Sequence, residues 1–146
     1  MTKEEVTVAV VEQECAVLRT RMAARKVTRT YDEALRPLGL KVTQFTLLVA
    51  IKHGIPDSIS ELAESLAMER TTLTRNLQLL EKQGLATIGP EGYRRARSMQ
   101  LTPLGEEKLA AALPVWRQAQ DQLVRKLGKG RWIEAKALLS EIISTA

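Results

Sequence analysis

The sequence is short of aromatics, cysteine and histidine, and each shortage excludes a class of function. Two Trp, two Tyr and one Phe make up 3% of 146 residues. Binding of single-stranded nucleic acid relies on aromatic platforms for base stacking, so that mode is not expected. The single cysteine, Cys15, excludes an intrachain disulfide framework and a cysteine-based zinc site. His53 is the only histidine and has no metal-spaced companions, and no glycine-rich phosphate loop is present. No enzyme site, metal or cofactor is therefore expected. Neighbouring acids such as Glu106 and Glu107 read as helix-start charges. No apolar run approaches the roughly 20 residues that span a bilayer. The N-terminal stretch also lacks the basic region and small-residue cleavage site of a signal peptide. The expectation is a cytoplasmic protein with no membrane partner.

What is present is an ordinary globular composition, 45% hydrophobic and 27% charged, of a length that suits one domain with a real core. Lys and Arg number 22 against 17 Asp and Glu, a net charge of +5. Such a balance suits an anionic partner, and its distribution matters more than its size. Between Cys15 and Tyr31 stand Arg19, Arg21, Arg25, Lys26 and Arg29 with no acid among them. Arg94, Arg95 and Arg97 form a second cluster.

Hydrophobic spacing predicts the element order. A long helix is expected from about Thr7 to Leu35, with Val11, Cys15, Leu18 and Met22 on one face and Pro37 and Gly39 ending it. A second helix runs from about Thr43, read as its N-cap, to Gly54, followed by a turn at Pro56 and Asp57. Ser58 or Ser60 opens a short helix carrying Ile59, Leu62, Ala63 and Leu66. Another begins near Glu69 or Arg70 and stops at Gly84, with Leu73, Leu77 and Leu80 on one side and Thr71, Thr74, Arg75 and Gln78 on the other. The period then changes. Leu85 to Ile88 reads as a strand, Gly89 to Gly92 as a turn, and Arg97 to Leu101 as the returning strand, with Met99 and Leu101 on one side. Thr102 caps a helix with Pro103 at its first position. In that helix Leu109, Leu113, Trp116, Gln120, Leu123 and Leu127 make a coiled-coil-like seam interrupted by one polar residue, and Pro114 predicts a bend. A last helix places Trp132, Ala135, Leu139 and Ile142 on one face. The fold class is mainly α with a small β-hairpin wing.

Two short helices joined by a tight turn and followed by a basic hairpin are the parts of a winged helix-turn-helix. The second helix needs an apolar face for its partner and a polar face that reaches base edges and phosphates. Arg70, Thr71, Thr72, Thr74, Arg75 and Gln78 supply the polar face. Arginine pairs with guanine in bidentate fashion, and threonine offers a methyl to thymine or a hydroxyl to phosphate. Arg94, Arg95 and Arg97 on the hairpin are long enough to enter a minor groove or clamp phosphate. The bland alternative is a solvated helix face and hairpin tip, or a helical protein-interaction module with a basic face. Neither accounts for the succession of both features.

The run ISELAESLAMERTTLTR from Ile59 to Arg75 resembles the helix-turn-helix core of the MarR (multiple antibiotic resistance regulator) family. LEKQGL from Leu80 and LTPLG from Leu101 are similar to the family's pattern around the wing. The resemblance spans essentially the whole chain. It implies a homodimeric transcriptional regulator, usually a repressor, on a pseudo-palindromic double-stranded operator. It implies a winged helix-turn-helix over residues 43–102 and a helical dimerisation region over 7–38 and 103–146. The family's wing usually carries Asp-x-Arg before the Leu-Thr pair. Here that register is Tyr93-Arg94-Arg95, so the arginine position is kept and the aspartate is not.

The resemblance also implies release from DNA by a small ligand or by cysteine oxidation. Cys15 has two readings. It resembles the sensing thiol of the organic hydroperoxide resistance regulators, with Arg19 one turn on as an activating cation. It equally reads as a small buried hydrophobe in an apolar stripe, and the tyrosines that accompany the thiol in those regulators are not matched. Arg21, Arg25 and Arg29 make a stripe that suits an anionic or aromatic effector; the alternatives are a solvated face or phosphate contacts. His53 at a helix end reads as a partner of terminal carbonyls.

Overall fold

The computed structural model describes residues 5–54, 58–89 and 99–146. Within them the order is α1 (Val8–Glu14), α2 (Ala16–Leu35), a 3-10 turn (Arg36–Leu38), α3 (Val42–His53), α4 (Ile59–Ser65), α5 (Arg70–Lys82), β1 (Ala86–Ile88), β2 (Met99–Leu101), α6 (Pro103–Leu127) and α7 (Lys129–Thr145). The strands are antiparallel, with Ala86 opposite Leu101 and Ile88 opposite Met99. The expected mainly helical fold with a small hairpin is the one observed. The hairpin turn from Pro90 onward, Arg97, and the turn residues Pro56 and Asp57 lie outside the described residues. No single described helix is long and apolar enough to cross a membrane.

The first helix is not continuous. Cys15 adopts extended backbone angles and divides it into α1 and α2. In an unbroken helix the Gln13 carbonyl would accept from the amide four residues on. Here it accepts from the Arg19 guanidinium instead, through Nε at 3.0 Å and through Nη2. Neither proline nor glycine marks the break. The stripe expected to be buried is also open in the single chain: Val11, Leu18 and Met22 are all exposed.

The second helix begins one residue before Thr43. Lys41 is its N-cap, its N–H donating to Gln44 Oε1 at 2.9 Å, while the Val42 N–H donates to Asp32 Oδ1 at 2.7 Å. An acid from the end of α2 and a glutamine from the first turn thus satisfy the amides of the N-cap and of the first helical residue. Ser58, not Ser60, caps α4, accepting from the Glu61 N–H at 3.1 Å. Leu66 stands just past the end of α4 and is half-buried.

The core gathers Leu35, Leu47, Leu48, Leu62, Leu73, Leu77 and Leu80, all nearly free of solvent, from α2 through α5. α6 closes it with Leu109 and Ala112. Leu109, Ala112 and Ala119 are buried, whereas Leu113 and Leu127 are exposed. A straight helix drifts about 20° per heptad from a strict seven-residue repeat. Ala112 and Ala119 are buried positions that a pattern counted on large apolar residues passes over. The helix runs through Pro114 without interruption. α7 has no buried residue: Ile133, Leu138, Leu139, Ile142 and Ile143 are all exposed in the single chain.

The hairpin is fastened to α6 at its base. The Thr102 N–H donates to the Leu85 carbonyl at 3.1 Å, and its hydroxyl donates to the Gly84 carbonyl and accepts from the Gly105 N–H at 3.0 Å. Gly84 itself is left-handed, as the end of α5 requires.

Candidate functional site

α5 is buried on one face and solvent-facing on the other. Leu73, Leu77 and Leu80 are buried, while Thr71, Thr72, Arg75 and Gln78 are exposed and Thr74 is half-buried. Arg70, Thr71, Thr74, Arg75 and Gln78 together line a shallow surface depression of about 390 Å³. Thr72 stands beside this group, and its carbonyl accepts from Asn76 Nδ2 at 2.9 Å. Glu81 at the far end of α5 accepts from the Ile88 N–H at 3.3 Å, which ties the helix to β1. The face therefore presents hydroxyls, an amide and guanidinium groups from a rigid, one-side-anchored helix. Such a surface can contact base edges and phosphates together. Arg94, Arg95 and Arg97, and the Tyr93 and Glu91 next to them, lie outside the described residues.

A second concavity lies between α2, α6, α7 and the start of α3. It encloses about 580 Å³, and its wall includes Arg19, Tyr31, Val42, Trp116, Gln120 and Trp132. That volume is in the range of small-molecule sites, which are mostly apolar with a few convergent polar groups. The Tyr31 hydroxyl donates to Gln120 Oε1 across it, which gives the polar interruption of the α6 pattern a partner. Burial of Tyr31 pushes its phenol above the ordinary tyrosine value. Trp116 stacks on Phe45 with centroids 6.5 Å apart and carries the Arg117 guanidinium 5.1 Å from its ring centre.

Arg21, Arg25 and Arg29 do not line this cavity. Arg21 and Arg25 are exposed on another side of α2, and Arg29 borders a separate surface hollow with Asp32, Arg36 and Lys41. Arg19 is the α2 arginine at the cavity wall, with its guanidinium on the Gln13 carbonyl. Cys15 is half-buried at the helix break. His53 is the last residue of α3 and is exposed. Among the described residues no three His, Cys, Asp or Glu side chains converge to hold a metal. Arginine spacing does not point to the cavity wall. The signal that does is the placement of both tryptophans, with Tyr31, on elements that flank it.

A MarR-family sequence profile matches residues 38–96. No curated protein gives a significant match. Among solved structures, the transcriptional regulator MosR of M. tuberculosis is 38% identical, with 91% of this chain and 98% of that one covered and a TM-score of 0.76. MosR in complex with DNA is 36% identical, covers 90% and 95%, and has a TM-score of 0.79. The transcriptional repressor CouR bound to p-coumaroyl-CoA is 22% identical, covers 97% and 100%, and has a TM-score of 0.78, a likeness of fold. The α5 face, the hairpin and the resemblance noted in the helix-turn-helix residues thus agree with a structural relative 38% identical over nearly its whole length: the chain belongs to the MarR family of transcriptional regulators.

Proposed function

We propose that this protein is a homodimeric repressor that binds a pseudo-palindromic double-stranded operator and is released when a small ligand enters the cavity beside Tyr31 and Trp116. The observation that carries the reading is the two-faced α5, with three leucines buried and Thr71, Thr74, Arg75 and Gln78 turned outward. Arg70, Thr71, Thr72, Thr74, Arg75 and Gln78 contact DNA, with Arg75 as a base reader. Arg94, Arg95 and Arg97 supply wing contacts to the minor groove or phosphates. The DNA-bound state of MosR supports this assignment. The exposed apolar faces of α1 and α7 support a dimer, since contiguous apolar surface of this kind calls for a covering partner. Two-fold symmetry then sets the α5 helices roughly 34 Å apart, one turn of DNA. Residues 43–102 act as the DNA-binding region, and residues 7–38 and 103–146 as the dimerisation region. The reading places the protein in the cytoplasm, and a regulator of this kind needs no catalytic chemistry.

For the ligand, the CouR complex supports a small molecule with an aromatic part. The cavity is walled by two tryptophans and a tyrosine, with Arg19 available to an anionic group. Arg21, Arg25 and Arg29 are better placed for phosphate or solvent than for this ligand.

The test is binding of the protein to its own upstream DNA against a scrambled duplex. Selective binding should fall by about 10³–10⁵ between 50 and 200 mM salt if six to ten phosphates are contacted. Arg75→Ala should cost about 1–3 kcal/mol on the operator and much less on random DNA. Equal losses on both duplexes refute Arg75 as a reader. Cys15, half-buried at a break in the helix, keeps the oxidation reading open to the same assay. If Cys15→Ser protein still leaves DNA under hydroperoxide, that reading is dead.

A further inference from the structure

Gln44 is the one buried polar side chain among the described residues, 4% exposed in a core of leucines, isoleucines, alanines and Phe45. A buried amide is costly unless its donor and acceptor are both paired. Gln44 Oε1 accepts from the Lys41 N–H at 2.9 Å, and Nε2 donates to Gln83 Oε1 at 2.6 Å. Lys41 is the N-cap of α3 and Gln83 the C-cap of α5. One side chain therefore joins the start of the helix at the cavity to the end of the helix that faces DNA. A methionine would fill nearly the same space, so packing alone does not call for an amide here.

The other end of this connection is the cavity wall itself. Val42 lines the cavity, and its N–H is held by Asp32 at 2.7 Å. Asp32 follows Tyr31, whose hydroxyl spans to Gln120. Phe45, next to Gln44, stacks on the wall residue Trp116. Val42 thus follows Lys41, which holds Gln44; Trp116 touches the neighbour of Gln44; and Tyr31 is one step further off, beside the Asp32 that holds Val42.

We infer that Gln44 is a positioning residue that couples the cavity to α5. A displacement of Tyr31 or Val42 shifts the first turn of α3, and the Gln44–Gln83 hydrogen bond carries the shift to the end of the reading helix. The inference rests on the proposal that α5 reads DNA and that the cavity takes the effector. Coupling through one such bond amounts to about two- to tenfold in affinity, and by linkage it acts equally in both directions. DNA bound at α5 must therefore be felt at the cavity.

Trp116 and Trp132 are the only tryptophans, and both line the cavity, so intrinsic fluorescence of the full-length protein reports its wall. Titration with the protein's own upstream duplex should shift the emission of the wild type. Gln44→Met removes both hydrogen bonds of Gln44; it should still bind that duplex within about tenfold of the wild type, the coupling carried by the Gln44–Gln83 bond, yet lose most of the shift. Gln83→Ala, at an exposed position, should do the same while leaving every core side chain in place, at the stability cost of an unpaired Gln44 amide. Gln44→Glu still accepts from the Lys41 N–H and, once the Gln83 amide turns over, accepts from Gln83 Nε2, so it should keep the shift. A shift that survives both Gln44→Met and Gln83→Ala, or none in the DNA-bound wild type, overturns the inference.

A second measurement needs no DNA. Asp32→Ala frees the Val42 N–H, and hydrogen exchange at the amides of residues 83–85 should speed up several-fold. The same substitution should add nothing in a Gln44→Met background. Unchanged exchange at 83–85 in Asp32→Ala overturns the coupling. If exchange responds as expected but no duplex binds, the relay stands and the DNA reading falls.

Discussion

Gly105 lies in the first turn of α6, where the helix presses on the chain entering β1. A Cβ built there would stand 1.9 Å from the Leu85 carbonyl oxygen and 3.0 Å from its carbon. Carbon–oxygen contacts settle at about 3.3–3.6 Å, so Gly105→Ala forces α6 and β1 apart by about 1.5 Å. The obstacle is backbone and cannot rotate away. The displaced oxygen is the acceptor of the Thr102 N–H, and the same threonine bonds Gly84. Overpacking costs about 1–3 kcal/mol, and the two weakened hydrogen bonds add about 2. The better helix propensity of alanine returns about 1, leaving a net loss of about 2–4 kcal/mol. For a chain of this length that lowers the melting temperature by about 6–15 °C at fixed protein concentration. Gly130→Ala in α7 makes the same chemical change with nothing within 4 Å of the new methyl. It should be neutral or stabilising by up to about 1 kcal/mol. Thermal melts of both variants by circular dichroism provide the assay. A Gly105→Ala protein as stable as the wild type would refute the argument, because it would mean that α6 does not seat on β1 as described.

Other expectations follow from single residues. Ala67, in the turn between α4 and α5, has φ of 51°, a left-handed conformation that disfavours a Cβ. Ala67→Gly should stabilise by up to about 1 kcal/mol and Ala67→Val should destabilise by at least about 1, and any other order in denaturant melts counts against the turn geometry. Burial holds the Tyr31 phenol above its ordinary value of 10.0. The folded protein then binds that proton more tightly than the unfolded chain, so stability is complete below about pH 10 and declines as pH rises through the raised value. Tyr31→Phe should flatten this alkaline decline in melts taken at increasing pH, and a decline of unchanged slope would remove Tyr31 as its cause. Ile142→Glu on the exposed face of α7 should weaken self-association about 10²- to 10⁴-fold, the value of two buried aliphatic side chains, one from each protomer. An unaltered dimer in sedimentation at dilute concentration would show that α7 is not in the interface.

Much of this molecule can be read from residue order because its signals are local. Ser58 and Thr102 are caps that bond amides three residues on. Gly84 ends α5 because only a residue without Cβ takes its left-handed angles cheaply. Leu73, Leu77 and Leu80 fall on one face by helical period alone, and that same period turns Thr71, Thr74, Arg75 and Gln78 outward. The candidate reading face is thus a property of one helix.

The remaining features depend on groups distant in sequence. The break at Cys15 leaves a carbonyl to be met by Arg19, and no propensity signals it. The N-cap of α3 is Lys41 and not the local candidate Thr43, and the next amide, of Val42, is held by Asp32 of α2. The buried side of α6 includes the small Ala112 and Ala119, to which a count of large apolar residues is blind. The cavity is further still from sequence pattern. Arginine spacing draws attention to Arg21, Arg25 and Arg29, yet the wall is assembled from Arg19, Tyr31, Trp116, Gln120 and Trp132 on three helices. Periodicity and capping act over one or two turns of backbone, so the order of residues alone determined the elements and their outward faces. Which faces meet, which amides are paired at a distance and where a void is left depend on packing among separate helices, and only the tertiary structure decided those.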